Sequence, residues 1–494
     1  MNGIRTGWRR IATDFAERIG HPGKRRFPIG RDGEAQTGTS VTLHQPEPAG
    51  VKAGETIEVS HRRVLEITLP MTLAFMTTPL LGMTDIAVIG RIGDAETLGG
   101  LVVGTLIFDF VFAVCNFLRA GTTGLTAQAV GAGRRRDAEA VFLRALVLAL
   151  GIGLLLIVAE PLIMSLGLLA VAPGPRVAEA AGTYVFVRMF SAPFALANYA
   201  ILGSVLGRGW SGRALLLQII VNGTNIALSI LFGLVFGWGI EGVALGTICG
   251  EAVGCLAGVA VLAPSLAAGR LPGRAEVFDR RGFGLMLGVN RDIMIRSFCL
   301  LAGFALFTRL SASFGPVTLA ANGLLMNIFM TGSYFLDGVA TASEQLAGLT
   351  IGARLRQAFD RTVSLTVLWG MAIGFVLSAV ILFGGEALIH FLTTDPEVRA
   401  TARIYLPFAA ATPLVGALAF VMDGLYIGAT WSAAMRDMMI LSLAAFALFG
   451  YGLAPLFGND GLWIGFELFL GLRGASLYAM LPRQRDRSFA ATSG

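Results

Sequence analysis

The sequence predicts an all-α polytopic membrane protein, with twelve transmembrane helices in two six-helix lobes related by a pseudo-two-fold axis along the membrane normal. Three observations carry this. Mean hydropathy is +0.71. Hydrophobic residues make up 55% of the 494 and charged residues 14%, where a soluble domain carries about a quarter charged. Twelve apolar segments of roughly 20–28 residues follow one another, each long enough for a ~30 Å hydrocarbon core. Landmarks of the first six segments then recur, in order, in the second six.

The first set spans 65–92, 98–122, 141–168, 179–206, 214–236 and 239–262. The second spans 294–314, 319–345, 363–383, 401–428, 435–456 and 461–481. After the second segment of each set comes GAGRRRDAEAVF (131–142) or GARLRQAFDRTV (352–363). The fourth carries Pro193 or Pro413 and is followed by Trp210-Ser211 or Trp431-Ser432. The sixth opens with EGVALG (241–246) or DGLWIG (460–465). Six is even, so both sets enter from the same side, and the substrate path should run between them.

Domain limits follow: a basic tail over 1–60, a first lobe over 61–262, a linker over 263–290, a second lobe over 291–481 and a tail over 482–494. Arginines cluster in one set of loops, at Arg134–Arg136, Arg208, Arg213, Arg270 through Arg291, Arg354, Arg356, Arg436 and Arg483 through Arg487. The opposite loops hold Asp94, Glu96, Glu179, Glu241, Glu386, Asp395, Glu397 and Asp460. The positive-inside rule makes the first set cytoplasmic, with both termini. In the tail, Ile4, Trp8, Ile11, Phe15 and Ile19 with interleaved arginines read as a basic amphipathic helix on a membrane surface. Positions 21–54 read as disorder. The alternative is a true start near Val59.

The net charge of +6 does not indicate nucleic acid, because the arginines lie between apolar spans. Cys115, Cys249, Cys255 and Cys299 show neither disulfide nor zinc spacing. No metal site and no cofactor is expected. An enzyme is disfavoured, since His21, His44, His61 and His390 all lie away from span centres and no HExxH or GxSxG motif falls within a span.

Asp85 is the sharpest anomaly. It sits in a segment that is otherwise uncharged after Glu66, where an ionised aspartate costs about 2.5–3.5 kcal/mol at a helix centre. A proton or cation site is the default reading; a structural carboxylate is the alternative. Pro79 lies one to two turns earlier and can kink that helix. The fifth segment carries Gln218, Asn222, Asn225 and Ser229 at spacings that make one polar stripe, lining a cavity or bonding to a neighbouring helix. At 1.5 Å per residue, Asp85 lies ~10 Å from the outer end, Ser229 ~13 Å, Thr247 ~12 Å, Tyr184 ~8 Å and Asn225 ~20 Å. Four helices of the first lobe thus offer polar groups at a similar depth. Asn198, Asn322 and Asn327 are further candidates for the substrate cavity, the asparagines of the second lobe serving equally as packing glue. Asp109 and Arg188 lie near mid-depth and could pair. Asp337 and Asp423 are assigned to the inner gate or to capping against loop arginines. Arg119 and Arg309 can snorkel to an interface.

PLLGMTDIAVIGRIGDA (79–95), NFLRAGTTGLTAQAVGAG (116–133), LAAN (319–322) and SYFLDGVA (333–340) resemble the MATE (multidrug and toxic compound extrusion) transporters, in particular the DinF-like branch. The resemblance covers every span and leaves out the N-terminal tail. It implies a monomeric exporter in the bacterial inner membrane that exchanges organic, often cationic, small molecules for protons or sodium by rocking two lobes. It implies that Asp85 is the coupling carboxylate, with Tyr184, Asn225 and Thr247 completing the site. Members of that branch carry a second aspartate where this chain has Ser229, so a two-carboxylate network is not expected and sodium binding in this lobe is disfavoured. A lipid-linked oligosaccharide flippase of the same superfamily is the alternative; the scattered intramembrane arginines speak against it.

Overall fold

The computed structural model describes residues 57–268 and 271–490. The amphipathic segment from Ile4 to Ile19 and the polar stretch 21–54 lie outside the described residues. All regular structure among those described is helical: α1 (His61–Ile92), α2 (Ala95–Cys115), α3 (Phe117–Gly131), α4 (Arg135–Val171), α5 (Pro175–Met189), α6 (Ala192–Gly207), α7 (Ser211–Ser229), α8 (Gly239–Ala268), α9 (Arg274–Val277), α10 (Arg280–Ala312), α11 (Pro316–Gly352), α12 (Arg356–Leu392), α13 (Pro396–Gly428) and α14 (Ser432–Ala490).

Ten of these stretches are long and apolar enough to cross a membrane, with α2 and α3 running as one across Asn116. An eleventh span is α5 with α6, bent by 53°. The bend has two causes. Pro193 supplies no N–H at the start of α6, and Ser191 Oγ donates to the Arg188 carbonyl at 2.7 Å, competing with the helical ladder. The twelfth comes from α14. Its 59 residues would reach about 90 Å as one helix, but Gly458 at φ 61° turns the chain back and makes two spans. The predicted twelve are therefore present.

The internal repeat is visible in the turns. Six of the nine described residues with positive φ fall into pairs, Gly133 and Arg354, Gly209 and Thr430, and Gly237 and Gly458. Subtracting each first number from its partner leaves 221 every time. Hydrogen bonding matches as well: Gly133 N to Val130 O and Arg134 N to Ala129 O are answered by Arg354 N to Ile351 O and Leu355 N to Thr350 O. Each pair closes a helix C-terminus by the same αL device, so both halves turn the chain alike.

Three boundaries differ from expectation. Helix α10 begins at Arg280, well before the apolar run at 294, because Asp279 caps it by accepting from Gly282 N at 2.8 Å. That bond holds the Asp279 carboxyl below the usual carboxylate range. Much of the linker is thus helical, and α9 is tied to the first lobe by Arg136–Glu276 at 2.8 Å and by Arg144 Nε donating to Val277 O at 2.8 Å. The last helix continues to Ala490, held to α12 by Arg485–Asp360 at 3.0 Å. The fifth span ends in a π-helical turn, Ile230–Val235, directly after Ser229.

The first lobe (α1–α8) and the second (α10–α14) meet along α1, α3, α11, α10 and α13. Their tightest approach is at the arginine-rich end. A Cβ on Gly131 would collide with the Leu349 carbonyl, and one on its repeat equivalent Gly352 with the Gln128 carbonyl. Gln128 Nε2 donates to Gly428 O and to Thr430 Oγ1, both at 3.0 Å. Gly131→Val should therefore push the lobes apart there. Overpacking by about 1–3 kcal/mol would change the ratio of closed to open forms about 5- to 150-fold. Spin labels on Arg135→Cys and Gln357→Cys should report a longer inter-lobe distance; an unchanged distance distribution would refute this closure.

Candidate functional site

The predicted coupling residues are all buried in the first lobe, Asp85 at 6% exposure, Tyr184 and Asn225 at 2% and Thr247 at 1%, as is Ser229 of the polar stripe at 0%. Small residues bring their helices close. The Tyr184 ring packs where a Cβ on Gly104 would lie 2.6 Å from Cδ1. Gly246 and Gly250 of α8 face the backbones of Ser229 and Asn225, a Cβ falling 2.6 Å from Ser229 N and 2.9 Å from Asn225 Cβ. Ser229 Oγ donates to Asn225 Oδ1 at 3.1 Å, and Thr247 Oγ1 donates to its own helix at Val243 O, 3.2 Å away. Asp85 Oδ1 is buried without a hydrogen-bond partner. Ser229 and the charge of Arg188 are the groups that act on this carboxyl. Helix α1 runs unbroken through Pro79.

The remaining polar candidates divide. Asn222 Nδ2 donates to Thr77 Oγ1 of α1 at 2.6 Å, which is glue between helices. Gln218 is half-buried on the same stripe. Asn198 Nδ2 donates to Glu251 Oε2 at 2.6 Å and to the Glu251 carbonyl at 2.9 Å. Asn322 is sealed in the second lobe: its Nδ2 donates to Ser311 Oγ and Asn459 Oδ1, both at 2.7 Å, and its Oδ1 accepts from Trp463 Nε1 at 3.0 Å. That network spends its donors and acceptor on packing. Asn327 is exposed.

Asp109 and Arg188 make no ion pair within 4.0 Å. The Arg188 guanidinium instead lies 4.3 Å over the Phe108 ring, with Nε and Nη1 buried and unbonded. It exerts its charge on Asp85, Asp109 and Glu251 alike.

Between the lobes lies a cavity of about 360 Å³ whose wall holds Arg119, Arg296, Arg473, Asp337, Glu344 and Asp423 among aromatic residues such as Phe75, Phe304, Phe329, Tyr334 and Phe420. Asp423 is bound by Arg296 and by Arg473. Its partners are thus intramembrane arginines of α10 and α14, not arginines of the loops. Arg119 crosses to Glu344 of the other lobe at 3.5 Å. It does not snorkel, and the intramembrane arginines converge where scatter was expected. Sequence reasoning overlooked Glu251, Glu344, Glu467, Arg296 and Arg473, although the rule that singled out Asp85 applies equally to a charge in any of these apolar spans. Glu467 accepts from Thr412 Oγ1 at 2.7 Å and leaves Oε2 buried without a partner.

Two repeated six-span lobes, buried ionisable groups within them and a cavity between them define an integral-membrane transporter. The chain belongs to the MatE family: the family model matches residues 70–231 and again 293–456, one match per lobe. It is 35% identical over 442 residues to DNA damage-inducible protein F of Escherichia coli K12, covering 88% of this chain and 95% of that one. It is 30% identical to the chloroplastic protein DETOXIFICATION 44 of Arabidopsis thaliana, over 87% and 82% of the two chains. The fold matches a structure described as the outward-facing conformation of a multidrug resistance MATE family transporter, with a TM-score of 0.77, 18% identity and coverage of 88% and 97%. The protein is accordingly a MATE-type efflux transporter.

Proposed function

We propose that the protein exports organic cations or amphiphiles in exchange for protons, and that Asp85 is the coupling site. The observation that carries this is the buried Asp85 carboxyl with an unbonded oxygen, set among the neutral groups Asn225, Ser229, Thr247 and Tyr184. A sodium ion prefers several oxygen ligands with more negative charge, and Ser229 supplies none. With the arginine-rich end cytoplasmic, the contacts around Gly131 and Gly352 close the inner side. Asp85 would then take a proton from outside, the first lobe would repack around α1, and substrate would leave outward; loss of the proton inward resets the cycle. The substrate would occupy the interlobe cavity, where Asp337 and the aromatic walls suit a cation. The site would sit in the inner membrane of a bacterium, in a monomer with both termini cytoplasmic.

Purified protein in proteoliposomes tests this with a pH gradient and a sodium gradient imposed separately. Cationic dye should move with the pH gradient and ignore sodium; movement driven by sodium alone would overturn the assignment.

The three arginines of the cavity favour a second reading, a flippase for a lipid-linked pyrophosphate. They are matched by Asp337, Glu344 and Asp423, so the cavity carries no surplus of positive charge. Flipping of such a lipid in the same vesicles, without dye export, would support it.

A further inference from the structure

We propose that Glu251 is a second proton-carrying carboxylate of the first lobe, which receives the coupling proton from Asp85 and passes it toward the arginine-rich end. The inference rests on the reading of Asp85 given above and deepens it. Replacement of the expected second aspartate by Ser229 leaves Asp85 without an acid partner on α7; the acid that shares Arg188 with it in the same lobe is Glu251 of α8.

The geometry is specific. Glu251 follows Thr247 by four residues and shares its helix face. Measured along the helices at 1.5 Å per residue, it lies ~18 Å from the start of α8, against ~10 Å for Asp85 from the end of α1. Glu251 is therefore the deeper of the two. Gly250 lets α8 touch Asn225, and Gly254 does the same for Asn198, a Cβ there lying 3.1 Å from Asn198 Nδ2. Ser229, Asn225, Thr247 and Asn198 thus line a polar track from one carboxyl to the other across three helices. Of the two carboxyl oxygens of Glu251, Asn198 bonds Oε2, and the Glu251 side chain is half-buried, not sealed.

The charges decide what this track can carry. The groups that act on Glu251 are Arg188 from α5, Tyr199 and Asn198 from α6 and Cys255 on its own helix; Asp85 meets it through the guanidinium of Arg188 that both carboxyls share. One guanidinium, Arg188, serves both carboxyls and reaches Asp109 of α2 as well. One cation balances one carboxylate, so the other is best neutral in an apolar surround. A single proton then belongs to the pair. Transfer breaks the O–H bond on Asp85 and forms one on Glu251, and the net charge around Arg188 does not change. A residue needed only to bridge α6 and α8 would have no use for a charge, since glutamine accepts the same Asn198 bond.

Glu251→Gln tests this in proteoliposomes. Substrate exchange at equal pH needs no net proton movement and should stay within about twofold of the parent, while accumulation driven by a pH gradient should fall at least tenfold or so. Glu251→Asp should recover part of the accumulation. Accumulation unchanged in Glu251→Gln, or exchange and accumulation lost together in folded protein, would overturn the proposal. Carbodiimide labelling of the unsubstituted protein reads the same claim without a variant, because the reagent captures protonated buried carboxyls: Glu251 should be labelled, less so as pH rises, and absence of label at low pH refutes it. Asp85→Asn run in parallel separates the two assignments. If that variant still accumulates substrate while Glu251→Gln does not, Asp85 fails and the transfer from it falls, leaving Glu251 as a proton carrier on its own.

Discussion

Asp85→Asn should abolish proton-driven export while leaving the fold intact. The substitution keeps the side chain's volume and planar shape, so the packing of α1 on α7 through Thr77 and Asn222 is untouched. It removes the one property the site needs, exchange of a proton. Accumulation under a pH gradient should fall by about tenfold or more, equivalent to ~1.4 kcal/mol or more of lost driving interaction. Substrate exchange should survive. Stability should not suffer: an ionised aspartate in a span costs about 2.5–3.5 kcal/mol and a neutral amide far less, so thermal unfolding in detergent should hold or move upward. A gain in stability with a loss of coupling is the signature of a residue kept for function. Full accumulation by the variant, or a marked fall in its unfolding temperature with transport intact, would return Asp85 to a structural role.

Much of this architecture was legible because a bilayer imposes length and apolarity on every span. The same constraint exposed Asp85. Turn landmarks at Trp210-Ser211 and Trp431-Ser432 marked the repeat that the φ values at Gly209 and Thr430 bear out. What escaped depends on partners distant in sequence. Nothing local to Asn322 indicates that Asn459 and Trp463 will saturate it. Nothing local to Asp423 indicates that two arginines from other helices will reach it. Counting arginines by loop also drew attention from Arg296 and Arg473, which sit inside spans and meet only when α10 and α14 pack. The π-helical turn after Ser229 has no compositional mark, because Ile230–Val235 is an ordinary apolar run. Its position follows from the fit of Gly233 against Val88 and Val243.

The second large effect is expected at Asp423. Its carboxylate is buried at 5% exposure and bound by Arg296 and by Arg473, itself 3% exposed. Asp423→Asn keeps the shape and removes the charge, so Arg296 and Arg473 stay in the cavity wall with Asp337 and Glu344 to balance them, and Glu344 is already engaged by Arg119. Removing one partner of a buried ion pair costs about 3–5 kcal/mol, because the charge left behind is uncompensated. Asp423→Asn should therefore lower the unfolding temperature in detergent more than neutralisation of an exposed pair such as Arg62–Glu66 by Arg62→Gln, where pairs are worth at most ~1 kcal/mol. The test of mechanism is the second substitution. Adding Arg473→Gln to Asp423→Asn restores the balance, leaving Arg119 and Arg296 against Asp337 and Glu344, and should recover a large part of the lost stability. If the double variant is less stable than the single one, the triad holds the second lobe by its hydrogen bonds and not by its charge balance. Recovery would instead show that the wall tolerates neutral pairs, and that the three charges are there to meet a charged substrate.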